Sequence, residues 1–161
     1  MAMSEAAVNE RALADALADA NRPDEAVRRQ VDSLPARLRF SQPERWLALA
    51  RDARLPAWRR LAAYGLLLER CLTYPIDRHT FVRQALSPLG LETAPWFDMS
   101  VGQWVPVKRG NDLVIRMVQL PIQTPVGQAA VYMSVRQGTD TIEQAAVSPD
   151  LDRAAGKLHL P

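Results

Sequence analysis

The stretch LPAWRRLAAYGLLLERCL, residues 55–72, constrains the fold more than any other part of the chain. Trp58, Leu61, Ala62, Gly65, Leu68 and Leu72 recur at helical spacing, which predicts one apolar stripe. Arg59, Arg60, Glu69 and Arg70 fall off that stripe, on a face expected to be solvated. Leu66 and Leu67 widen the apolar surface, so the helix should be covered on more than one side. Pro56 suits a first helical turn, where its missing N–H costs nothing. Pro75 ends the segment, because a residue before proline avoids the α region. The segment reads as a scaffold helix, with Trp58 and the lone Cys71 assigned to packing.

A chain of 161 residues, 48% of them hydrophobic, is long enough to bury a core around such a helix. One cysteine excludes an intramolecular disulfide and fits a reducing compartment. The start, MAMSEAAVNER, has acids where a secretion signal needs a basic region and an apolar run. The longest apolar run, 61–68, is far short of the roughly 18 residues of a spanning helix. These features predict a cytoplasmic protein with no membrane contact.

The charge is unevenly spread. Residues 1–27 carry two arginines against six acids, whereas residues 28–83 carry twelve arginines against five. Only two lysines accompany eighteen arginines in an alanine-rich chain, a bias that suits a GC-rich bacterial genome. The bias weakens arginine abundance as a sign of anion binding.

Several helices precede and follow the central one. Residues 4–20 predict a helix capped by Ser4, with a thin apolar face of Val8, Leu13 and Leu17; it is expected to fray or to dock elsewhere. Residues 23–33 follow, with Asp24 and Glu25 suited to the helix dipole. Ser41 and Glu44 have the spacing of a capping box opening a helix over 42–53. Asp77 can cap a short helix over 78–86, closed by Ser87, Pro88 and Gly90.

After residue 90 the texture changes to β-branched residues, glycine and proline. Strands are predicted at 104–108, 113–120, 129–136 and 141–147. Gly110 and Asn111 suit a hairpin turn; Pro121 and Pro125 mark a loop. The expected fold is α+β: an N-terminal helical half of four to five helices packed on a C-terminal antiparallel meander of three to four strands. The chain reads as one domain, 1–161, with helices over 21–90, sheet over 100–147 and an irregular tail over 148–161. On strands 113–120 and 129–136 both faces are fairly apolar, so a second face is expected to need more chain, a ligand or a partner subunit.

Catalytic groupings are absent from the sequence. Cys71 and His79 are the obvious nucleophile and base, but one falls beside an apolar stripe and the other beside a helix cap. One cysteine with His79 and His159 lacks any zinc-ligand spacing. The seven glycines are scattered and form no phosphate loop. Asp98, Asp150 and Asp152 read as solvated loop acids. No cofactor, metal or catalysis is therefore expected.

The arginines offer more. Arg37, Arg39, Arg45, Arg51, Arg54, Arg59 and Arg60, with Trp46 or Trp58 nearby, could make a phosphate-binding surface, and the segments 42–53 and 56–72 loosely resemble a helix-turn-helix. Glu44, Asp52 and Glu69 interrupt that surface, and the acidic first helix could neutralise it from within the chain. The reading is an accessory protein acting through a protein partner or self-association: adaptor, assembly factor, chaperone or inhibitor. The candidate contact residues are Arg51, Arg54, Arg59, Arg60, Arg116 and Tyr132. Nucleic-acid binding through residues 28–60 is the alternative, and an enzyme with a non-local site the third.

Overall fold

Residues 5–18 contain no glycine or proline and are rich in alanine, the best helix former. In the computed structural model they form α1 (Glu5–Ala18), opened by Ser4, whose hydroxyl accepts the Ala7 N–H at 3.1 Å. The structure describes residues 4–90, 103–109, 113–124, 127–136 and 138–148, with side chains for 4–90, 131–136 and 138–147. The chain divides into two compact units, Met1–Cys71 and Leu72–Pro161.

The first unit holds α1, α2 (Asp24–Asp32), α3 (Pro43–Arg51) and α4 (Ala57–Leu66), the last running into a π-helical turn, Leu67–Cys71. Proline marks three of the starts: Pro23 and Pro56 precede α2 and α4, and Pro43 is the first residue of α3. Its buried side chains include Leu13, Leu17, Val27, Trp46, Tyr64 and Leu67. Phe40 stacks on Trp46 with ring centroids 5.2 Å apart, closing the loop before α3 against that helix.

The central helix differs from its expected form. Gly65, Leu68 and Leu72 are buried, but Trp58, Leu61 and Ala62 are only half-buried. The buried side of α4 runs instead through Arg59, Ala63, Tyr64 and Leu66. Apolar residues stand on most sides of this helix, so spacing alone left its orientation open; a buried arginine decided it. Arg59, expected on a solvated face, is 2% exposed.

The predicted Ser41–Glu44 capping box does not form. Gln42 is the cap residue of α3 and no side chain of its own neighbourhood caps it. The Glu10 carboxylate, from α1, accepts the Ser41 N–H at 2.9 Å, the Gln42 N–H at 3.0 Å and the Trp46 indole N–H at 2.8 Å. A negative group at that helix start suits the dipole, whichever element supplies it.

The second unit begins after Cys71. Ile76–Asp77 form a short strand, β1, and Asp77 also caps α5 (Arg78–Phe81), accepting the Thr80 N–H at 2.8 Å. The chain continues as a π-helical turn, Val82–Leu86, and a 3-10 turn, Ser87–Leu89, and Gly90 leaves at φ 72, in the left-handed region glycine favours. Then β2 (Gln103–Arg109), β3 (Leu113–Thr124), β4 (Gly127–Arg136) and β5 (Thr141–Ser148) pair antiparallel. The sheet order is β1-β5-β4-β3-β2, so the four long strands are a simple meander and β1 adds a short fifth member beside β5.

The α+β class, the N-terminal run of helices and the antiparallel meander match the sequence reading. Two details do not. Strand β3 runs through Pro121, expected in a loop, because beyond Gln119 its described pairing is with β4 alone, a setting in which a proline fits. Strand β1 was too short for any pattern to reveal. The predicted Gly110 and Asn111 turn, Pro125, Asp98, Asp150, Asp152, His159 and the tail from 149 lie outside the described residues.

Both faces of the sheet are covered along the described part of β4. Val131, Tyr132, Met133, Ser134 and Val135 are all buried, although they alternate between the two faces. Of the three covers expected for the second face, more chain, a ligand or a partner subunit, the first suffices at β4, where both faces are buried within this chain.

Candidate functional site

Arginine in this protein works largely on its own backbone. The Arg59 guanidinium, buried at the start of α4, donates to the carbonyls of Ala16, Leu17, Asp19 and Arg22, at 3.4, 3.2, 2.7 and 2.7 Å, and to the Asp24 carboxylate at 3.0 Å. Ala16 and Leu17 belong to the last turn of α1, where the backbone supplies few partners for the carbonyls; the Asp19 N–H reaches that of Ala16 at 3.3 Å. That turn has no basic residue of its own, so Arg59 supplies the missing cation from forty residues away.

Other arginines repeat the pattern. Arg70 gathers the carbonyls of Pro35, Ala36 and Leu38, and Arg39 donates to the Glu69 carbonyl, tying the loop before α3 to the end of the central helix. Arg60 donates from Nε to the Ala50 carbonyl at 3.0 Å, near the end of α3. Arg45 bridges to Asp15 of α1, and this hydrogen-bonded partner holds the Asp15 carboxyl below its ordinary range. The acidic first helix thus does neutralise part of the basic segment.

The proposed arginine surface is consequently reduced. Arg59 is interior and its donors are engaged; Arg60 is half-buried. Arg54 is exposed but forks onto Asp52, through Nε and Nη2, both at 3.0 Å, which lowers the Asp52 carboxyl. Arg51 is exposed on the last turn of α3. In the second unit Arg116 pairs in register with Val135 and Tyr132 with Gln119, so the two positions belong to opposite faces of the sheet. Tyr132 is 3% exposed and offers no surface for a partner.

What α4 does present is a ridge that the sequence reading placed in the core. Trp58, Leu61 and Ala62, at i, i+3 and i+4, share a face and remain half-exposed. The Arg28 guanidinium of α2 lies 4.4 Å over the Trp58 ring, and Arg59 approaches the same ring at 5.4 Å. The Trp58 indole N–H is buried without a hydrogen-bond partner. Helical spacing made Trp58 visible as part of a stripe; the competing buried side, through Arg59, is what turned it outward.

Comparison with protein-family models, with curated proteins and with solved structures found no match.

The catalytic candidates belong to different units. His79 is exposed on α5, in the second unit. Cys71 is half-buried, and burial, helped by the nearby Glu10 carboxylate, pushes its thiol from an ordinary 9.0 to about 12. The thiolate is the reactive form, so alkylation of the native protein by iodoacetamide at pH 8 should be much slower than in urea, approaching the unfolded rate only when the fold opens. The sign for stability follows: folding favours the protonated thiol, and that contribution is lost as pH climbs above the unfolded value. Equal alkylation rates in native and unfolded protein would contradict this environment. Among the described residues no group of three His, Cys, Asp or Glu is placed to hold a metal ion, and no helix is long and apolar enough to cross a membrane.

Proposed function

We propose that this is a small cytoplasmic accessory protein that acts by binding another protein, in the manner of an adaptor, assembly factor, chaperone or inhibitor. One observation carries the reading: Trp58, Leu61 and Ala62 stand half-exposed on α4 with Arg28 stacked on the indole. Tryptophan and arginine are the residue types most enriched at energetic centres of protein interfaces. The stacked arginine holds the indole in place before any partner arrives, which reduces the ordering cost of binding. The nucleic-acid alternative has less support, because two of the four arginines it would gather on α3 and α4, Arg59 and Arg60, donate to backbone carbonyls.

The test is copurification of the tagged full chain from its native host, alongside Trp58→Ala and Leu61→Asp. A captured protein should be reduced at least about tenfold by either substitution, the loss of one interface anchor, while helical circular dichroism is retained. Light scattering of the wild type tells self-association from a foreign partner. Capture that survives both substitutions would remove the ridge from the reading. Recovery of nucleic acid instead, released steeply by salt, would transfer the argument to the alternative.

A further inference from the structure

The first helix has an outward face of its own. Glu5, Val8, Ala12, Asp15 and Asp19 recur at helical spacing along α1 and its cap, and all five are exposed. The opposite face, through Leu13, Ala14 and Leu17, is buried in the first unit, which keeps this stripe turned to solvent. Val8, 50% exposed, is the large apolar side chain most open to solvent among the described residues. Acids lie on either side of it. Asp15 is tied to Arg45, but among the described residues neither Glu5 nor Asp19 has an ion-pair partner.

The ridge on α4 is the converse. Its apolar part is Trp58, Leu61 and Ala62, and it belongs to a segment, residues 28–60, with nine arginines against three acids. Asp24, Glu25 and Asp52 are already matched by Arg59, Arg29 and Arg54. Arg28, exposed on α2, has no ion pair among the described residues, and the contact it makes is with the Trp58 ring. Arg51, on the last turn of α3, is likewise exposed without an ion pair among them. The first turn of α4 contains no acid.

The two faces are complementary in charge and in shape of side chain: a strip of small aliphatic residues bordered by unpaired acids, and a larger apolar ridge bordered by unpaired arginines. Both are open in the same chain, so they do not meet within it. We infer that the ridge is covered by a second copy of this chain, through the exposed stripe of that copy's α1. The inference rests on the ridge being an interface, and it names the occupant. Val8 and Ala12 of the second copy pack on Trp58 and Leu61, and the acids of the stripe face Arg28 and Arg51. A nucleic acid suits the same ridge less well, because a base needs an open ring face to stack on, and Arg28 already lies over the Trp58 ring. Because the contact joins two different surfaces, it closes as a two-fold pair that makes it twice, or extends into a longer assembly.

The experiment follows the full chain by light scattering from micromolar to sub-millimolar concentration. The mass should rise with concentration above that of a single chain, and should fall again in high salt, which screens exposed charges. Val8→Asp, at an exposed position, and Trp58→Ala should each weaken association at least about tenfold, the loss of one interface anchor. The decisive measurement mixes these two variants. One retains an intact ridge and the other an intact α1 stripe, so the mixture should form one-to-one pairs although neither variant associates alone. If Trp58→Ala fails to fold, Arg28→Glu replaces it as the ridge variant. A chain that stays monomeric throughout, a mass indifferent to salt, association that survives Val8→Asp, or variants that do not complement each other overturns the inference. A monomeric chain that captures a foreign protein, and loses it in Trp58→Ala, overturns the second copy as occupant while the ridge remains an interface.

Discussion

Replacing Arg59 with methionine should lower the unfolding free energy by about 3–5 kcal/mol, the range found when one member of a buried charged network is removed. Methionine keeps most of the apolar stem but none of the donors. The carbonyls of Ala16, Leu17, Asp19 and Arg22 then lose a shared partner. The ion pair itself is the smaller part, because the Asp24 side chain is 56% exposed. Asp24→Ala should accordingly cost under about 1 kcal/mol, and the contrast between the two separates backbone capping from charge pairing. Arg59→Lys should recover only a fraction, since an ammonium cannot span carbonyls that a planar guanidinium reaches together. Urea unfolding followed by circular dichroism measures all three. Equal effects of Arg59→Met and Asp24→Ala would mean that the capping bonds contribute little.

Glu10→Ala should cost about 3 kcal/mol, in the range for losing hydrogen bonds to a charged group and stranding buried donors. The stranded donors are the N–H groups of Ser41 and Gln42 and the Trp46 indole. Glu10→Gln keeps one acceptor oxygen and should cost roughly half as much. Hydrogen exchange at the Trp46 indole reads the site directly: its protection should fall in Glu10→Ala well before the rest of the first unit opens. An indole that stays as protected as in the wild type would show that burial alone, without the carboxylate, shields it.

The parts of this fold that were legible in the sequence are those whose cause is local. Ser4 and Asp77 cap their helices through N–H groups three residues on, so a short window contains both partners. The β-branched runs bounded by glycine and proline placed β3 and β4, because both signals lie within a short window. What escaped has its cause far along the chain. The cap of α3 comes from Glu10, thirty-one residues before Ser41, so the nearby Ser41 and Glu44 spacing gave a plausible but incorrect answer. Arg59 read as a surface residue because nothing adjacent announces four carbonyls awaiting it. Its burial rotated α4 and brought Trp58, Leu61 and Ala62 to a half-exposed position, which is why the ridge was taken for core. Of the candidate contact residues whose side chains are described, Arg51 and Arg54 stand exposed, whereas Tyr132 is enclosed.

The buried Arg59 also bears on the order in which the protein can be completed during synthesis. α1 leaves the ribosome before α4, so the cation that closes its last turn is made some forty residues later. Trp46, which lies against Glu10 near the middle of that helix, follows it by thirty-six. Short alanine-rich helices are marginal in water on their own. The last turn of α1 is therefore completed only once α4 has been made.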